Sequence, residues 1–145
     1  MTTLFAAVGG LDGLRALAHA WHERCLADPV AGHPFGHPGQ HPDHLERLTA
    51  YWAEALGGPP LYTGAGLGDE THVRRLHAGN GEHRSLDLRV IACFDQAMAD
   101  VGITDPDVVA SLHDYFAGTT EEYEAYHESP DQVPDGLTLP HWPRG

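Results

Sequence analysis

The sequence predicts an all-α fold, and three observations carry the prediction. Apolar residues recur at steps of three and four in four separate stretches; each stretch is bounded by Pro or Gly; no stretch alternates apolar and polar residues as a half-buried strand would. At 145 residues the chain is sized for one domain with one core, and three Trp, five Tyr and four Phe supply its large apolar groups.

The first stripe is Leu11, Leu14, Leu17, Ala18, Trp21 and Cys25. It predicts a helix from about Asp12 to Ala27, ended by Asp28-Pro29 because the residue before a proline is pushed out of the helical region. Residues 32–42 (GHPFGHPGQHP) hold Pro34, Pro38, Pro42 and three Gly, so a bent connection is expected, with Phe35 its one apolar side chain. A second helix starts near Pro42, whose fixed φ suits a first turn, with Asp43 and Glu46 where the helix dipole favours them. It carries Leu45, Leu48, Trp52, Ala55 and Leu56 on one face and stops at Gly57-Gly58-Pro59.

Residues 59–70 (PPLYTGAGLGDE) read as loop, and residues 71–81 (THVRRLHAGNG) as a short helix closed by Gly79 and Gly81. Leu86, Val90, Phe94, Ala97 and Val101 make the third long stripe, ended by Gly102. Val108, Leu112 and Tyr115 or Phe116, continued by TTEEYEAYHES, predict a fourth helix to about Ser129. The chain thus divides into a helical domain over residues 1–129 and a Pro/Gly-rich tail over residues 130–145, expected to pack on the surface or to be disordered.

The 21 Asp and Glu against 8 Lys and Arg give a formal net charge of −13. Such a charge repels phosphate backbones and anionic lipid heads, so neither nucleic acid nor a membrane surface is an expected partner. The opening residues lack the basic start and apolar run of a secretory signal, and no window approaches the roughly 18 apolar residues of a membrane span. A cytoplasmic location is the expectation. Cys25 and Cys93 each fall in a core phase, which predicts two buried reduced thiols with no chemistry of their own.

Twelve His are unusual for this length, and His is both a metal ligand and a side chain that titrates near neutrality. His33, His37 and His41 each precede a Pro; they could chelate a divalent ion, although a Gly/Pro loop does not fix ligand geometry. His44 precedes Leu48 by four residues and Trp52 by eight, while His22 follows Ala18 by four and Leu14 by eight, so both imidazoles face a core. His77 lies in the short segment between two long apolar helices, and spacing alone leaves it open between a surface residue and a ligand. G-x-S-x-G, H-E-x-x-H, C-x-x-C and the phosphate-binding Gly loops are all absent. Four amphipathic helices, a short helix bearing His and a Phe in the bend are the parts a haem pocket needs: an imidazole for iron, an apolar slot and a few polar groups opposite.

LFAAVGG at the start, LADPV after the first helix, HPDHLERLTAYWAEALGGPPLYT through the second and HVRRLHAG before the third resemble the truncated haemoglobins of the second group, or O type. The resemblance covers about residues 4–128 and rests on Gly57, Gly58, Pro59 and Tyr62 followed by Arg74 and His77. It implies a truncated globin, a two-over-two helical sandwich in which the first and second long helices pack over the third and fourth. Between the layers it implies haem b (iron protoporphyrin IX), with His77 as the metal ligand, Tyr62 and Arg74 on the propionates and Phe35 wedged against the porphyrin.

On the distal side the sequence departs from the family. His22 stands where a Tyr that donates to the bound ligand is usual, and Val90 stands where the second group usually has a Trp. His44 occupies a distal-helix position that often holds a small residue, with Leu48 one turn later. The resemblance therefore implies an imidazole donor worth about 1.5–3 kcal/mol if charge-assisted, added room at Val90, and His22 or His44 able to reach the iron when no ligand is present.

The function so implied is binding of oxygen or another small gaseous or peroxide ligand, with nitric oxide or peroxide redox chemistry and a reductase partner as extensions. Sensing or detoxification suits an isolated domain better than bulk oxygen transport. The rival reading is a haem-free, His-rich helical module that binds a divalent metal or a protein partner through residues 33–44; it predicts no Soret band and metal uptake that depends on His33, His37 and His41.

Overall fold

The computed structural model describes residues 3–32, 43–77, 84–126 and 128–142. Among the described residues six α-helices follow in order: α1 (Leu4–Ala7), α2 (Gly10–Ala27), α3 (His44–Ala55), α4 (Glu70–His77), α5 (Arg84–Asp100) and α6 (Pro106–Glu124), then a 3-10 turn, η1 (Pro130–Gln132). There is no strand among the described residues, and no described helix is long and apolar enough to cross a membrane.

The four predicted stripes are the inner faces of α2, α3, α5 and α6. Leu14, Leu17, Ala18, Trp21 and Cys25 are buried on α2, and Trp52, Ala55 and Leu56 at the end of α3. Helix α2 packs on both α3 and α5, and α5 packs on α6, which makes the two-over-two arrangement. Each of the four contributes one ring to the centre of the core. Trp21 meets Trp52 at 6.0 Å and Phe116 at 5.4 Å, Trp52 meets Phe94 at 5.6 Å, and Phe94 stacks on Phe116 at 4.2 Å. These separations are those at which aromatic pairs gain beyond plain burial.

Helix ends follow the punctuation in the sequence. Gly57 adopts φ +97°, and Gly57 N and Gly58 N donate to the carbonyls of Glu54 and Ala53, the last at 2.7 Å. Gly102, at φ +81°, repeats the device at the end of α5, where Ile103 N donates to Met98 O at 2.9 Å. Both are C-terminal caps in which a left-handed residue turns two amides back onto carbonyls that the helix leaves open. Asp28 ends α2 by accepting from the amides of Val30 and Ala31 at 2.9 and 3.0 Å, and Asp105 caps α6 by accepting from Asp107 and Val108.

Three boundaries differ from expectation. Helix α1 is too short to show a period; Thr3 caps it through its hydroxyl, and Phe5 N donates to Leu56 O at 2.9 Å. The short helix begins at Glu70. Helix α6 stops at Glu124, short of the predicted Ser129, because Ser129-Pro130 opens a new element: Ser129 and Gln132 form a reciprocal capping box on η1. The start predicted near Pro42 and the closing residues Gly79 and Gly81 lie outside the described residues.

The tail is packed on the domain. Val133 is 2% and Leu139 5% exposed, Trp142 N donates to Ala55 O at 2.7 Å, and the Trp142 indole lies 6.0 Å from the Tyr115 ring.

Candidate functional site

Helix α4 presents Glu70, Arg74 and His77, at steps of four and three, along one edge toward α6. His77 Nδ1 lies 2.8 Å from Val73 O, one turn back on the same helix. A carbonyl only accepts, so Nδ1 carries the proton and Nε2 is the ring's lone-pair nitrogen, the arrangement in which a histidine ligates a metal. The ring stacks on Tyr123 at 4.5 Å with 12° between planes, and the residue as a whole is exposed.

Around this ring runs a network. Tyr51 Oη donates to Glu70 Oε2 at 2.7 Å and lies 3.3 Å from Tyr123 Oη. Arg74 Nε donates to Glu70 Oε1 at 3.0 Å and its terminal nitrogen to Glu122 Oε2 at 2.8 Å, with the guanidinium 5.8 Å from the Tyr123 ring centre. Glu70 is only 1% exposed. Burial pushes its carboxyl above the usual range, opposed by the bonds from Tyr51 and Arg74. Burial likewise drives the Tyr51 and Tyr123 phenols well up.

His22 on α2 and His44 on α3 face one another with ring centres 6.3 Å apart and 60° between planes. The Nε2 atom of each is buried. Burial first, then the charge of His19, lowers the His22 pKa against a smaller opposing effect of Glu23, so its imidazole is held neutral at neutral pH. Leu48, one turn beyond His44, is half-buried, and Tyr51 follows three residues later. One face of α3 therefore connects the His22–His44 pair to the network behind His77, over about 10 Å of helix between His44 and Tyr51. Val90 is buried on α5, and its carbonyl accepts the Trp21 indole N–H at 3.1 Å.

Tyr62 is buried against Tyr51, ring centres 5.5 Å apart and nearly perpendicular. Its loop is held by buried Glu54, which accepts from the amides of Tyr62 and Thr63 and from the Thr63 hydroxyl at 2.6 Å. Burial raises the Tyr62 phenol, and the positive charge of Arg47 opposes the rise. Phe35 and the loop histidines His33, His37 and His41 lie outside the described residues. Cys25 and Cys93 are buried and reduced, each pushed up by burial.

The structure thus brings His22 and His44 together, as their phase in the sequence indicates, and sets Val90 on the neighbouring helix against Trp21. Arg74 turns its fork to two carboxylates of the protein itself. Sequence reasoning missed Glu70, although its i,i+4 spacing to Arg74 was readable. Tyr51 was also readable, in phase with His44 and Leu48; Tyr123 and the proximity of Arg47 to Tyr62 are tertiary and left no local signal.

A two-layer helical sandwich with a histidine on the helix that connects its layers is the class this fold defines: a truncated globin. The family model of bacterial-like globins matches residues 3–120, and the chain belongs to that family. Among solved structures, the group II 2-on-2 haemoglobin of Agrobacterium tumefaciens superposes with a TM-score of 0.70 at 24% identity, covering 85% of this chain and 94% of that one. The cold-adapted truncated haemoglobin of Pseudoalteromonas haloplanktis TAC125 gives 0.72 at 19% identity, covering 84% and 97%. The truncated oxygen-avid haemoglobin of Bacillus subtilis gives 0.68 at 21%, covering 84% and 98%. No curated protein matches the sequence.

Proposed function

We propose that this chain is a haem protein of the group II type that binds oxygen or another small ligand, with His77 on the iron. The observation that carries the reading is the His77 Nδ1–Val73 O bond of 2.8 Å, which places the proton on Nδ1 and so supports Nε2 as the ligating atom. The residues that fit the group are an oriented imidazole on α4 and two further imidazoles that face one another from α2 and α3. When bound, haem b would supply an iron that takes the small ligand.

In this reading His22, His44, Leu48 and Val90 line the ligand side. A neutral His22 can donate to an incoming ligand, and can take a proton from a peroxide and return it, which supports redox chemistry as an extension. Tyr62 and Arg74 are the positions proposed for the propionates; Arg47 supplies a cationic charge near Tyr62. Phe35, outside the described residues, is the position that the resemblance assigns to the wedge against the porphyrin. A cytoplasmic location and a reductase that supplies electrons belong to the same proposal.

The reading is tested by titrating the purified chain with haemin and recording the ferric, ferrous and carbon-monoxide spectra. A Soret band saturating at one haem per chain, shifted by carbon monoxide in the ferrous form, is expected. Failure to retain haem overturns the reading and moves the weight to metal uptake by the His-rich loop.

A further inference from the structure

Helix α4, described over Glu70–His77, is held by its neighbours along two edges. Its two edges are held differently. Glu70, Arg74 and His77 bind it to α3 and α6. Thr71 and Arg75, four residues apart on the adjacent edge, meet the C-terminal tail instead.

Thr71 is 3% exposed, and its hydroxyl is used twice by the tail backbone: it donates to Pro134 O at 2.9 Å and accepts from Leu137 N at 2.9 Å. One terminal nitrogen of Arg75 donates to Val133 O at 3.1 Å and to Asp135 Oδ1 at 2.6 Å. The tail is itself anchored at both ends of this contact, by buried Val133 and, beyond it, by buried Leu139 and the Trp142 N–Ala55 O bond at the end of α3. The segment lies beyond the family match, which ends at residue 120.

We propose that residues 130–142 form a strap that sets the position of α4, and through it the imidazole of His77, with Thr71 and Arg75 as positioning residues. The proposal rests on His77 being the iron ligand. Thr71 is the stronger of the two, because it is itself buried and its two bonds partly so, while the Arg75–Asp135 pair faces solvent. Loosening the strap leaves the ligand in place and broadens the range of positions from which it approaches the iron.

The test uses the full-length, haem-loaded chain. Thr71→Val keeps the side-chain shape and removes both bonds; Thr71→Ser keeps the hydroxyl; Arg75→Gln alters an exposed residue and guards against a Thr71→Val chain that does not fold. The readouts are the iron–histidine stretching band of the ferrous form in resonance Raman spectra and the rate of haem transfer to an apomyoglobin scavenger. A broadened or shifted band and about tenfold faster haem loss in Thr71→Val, with Thr71→Ser close to the parent and Arg75→Gln intermediate, is the expected result. A lower melting temperature with band and haem loss unchanged overturns the strap, and so does an unchanged Arg75→Gln if Thr71→Val fails to fold. A parent band that survives His77→Ala overturns the reading of His77 instead, and the strap with it.

Discussion

His77 and His22 meet opposite environments, and each environment selects a different use for the same side chain. His77 lies on an exposed part of α4 with its Nδ1 proton committed to Val73 O, whereas His22 is partly buried and held neutral. The sign for His22 is definite. Its folded pKa lies below the usual 6.5, so the unfolded chain binds more protons as pH falls through that value, and folding stability drops with it. His22→Phe should therefore flatten the fall in melting temperature between about pH 7 and pH 5; an unchanged slope would show that His22 titrates alike in both states. The phase of His22 and His44 was legible because each falls on the apolar stripe of a long helix. His77 was singled out only through resemblance: its contacts in the structure are a backbone carbonyl and Tyr123, 46 residues away, neither of which leaves a periodic trace. At the same scale, Arg74→Gln removes the partner of buried Glu70. Left with the Tyr51 hydroxyl but without its cation, the buried carboxylate should cost the chain about 3–5 kcal/mol in a denaturant titration.

Among the elements, the ends that glycine closes could be read in advance and the ends that packing closes could not. Gly57-Gly58 and Gly102 stop α3 and α5 as expected, since a positive φ is costly for any side chain with a Cβ. Gly58 is needed for a second reason: a Cβ there would come within 2.8 Å of Ala53 O and 2.7 Å of the Phe5 ring. Gly58→Ala should accordingly cost about 1–3 kcal/mol by thermal melt, and a neutral result would mean that α1 and Phe5 are not seated against the end of α3. The end of α6 is the contrasting case. TTEEYEAYHES continues the helical composition, yet Ser129-Pro130 serves η1 and the tail, and only the tail's packing makes that use favourable.

For the molecule as a whole, the all-helical class and the pairing of α2 and α3 over α5 and α6 follow from four stripes, which leave few other ways to bury four apolar faces. The tail was the part that composition left undecided, because its anchors Val133, Leu139 and Trp142 are single residues without a period. Burying Val133 and Leu139 contributes about 3–6 kcal/mol. Removing residues 130–145 should therefore lower the melting temperature by about 10 °C; an unaltered melt would leave the tail without a part in stability. The central claim, that His77 ligates the haem iron, is tested most directly with His77→Gly loaded with haem, its ferrous spectrum recorded without and with added imidazole. The account predicts loss of the parent ferrous bands in the variant and their return when imidazole fills the vacated position. A His77→Gly protein with the parent spectrum and no response to imidazole would contradict it.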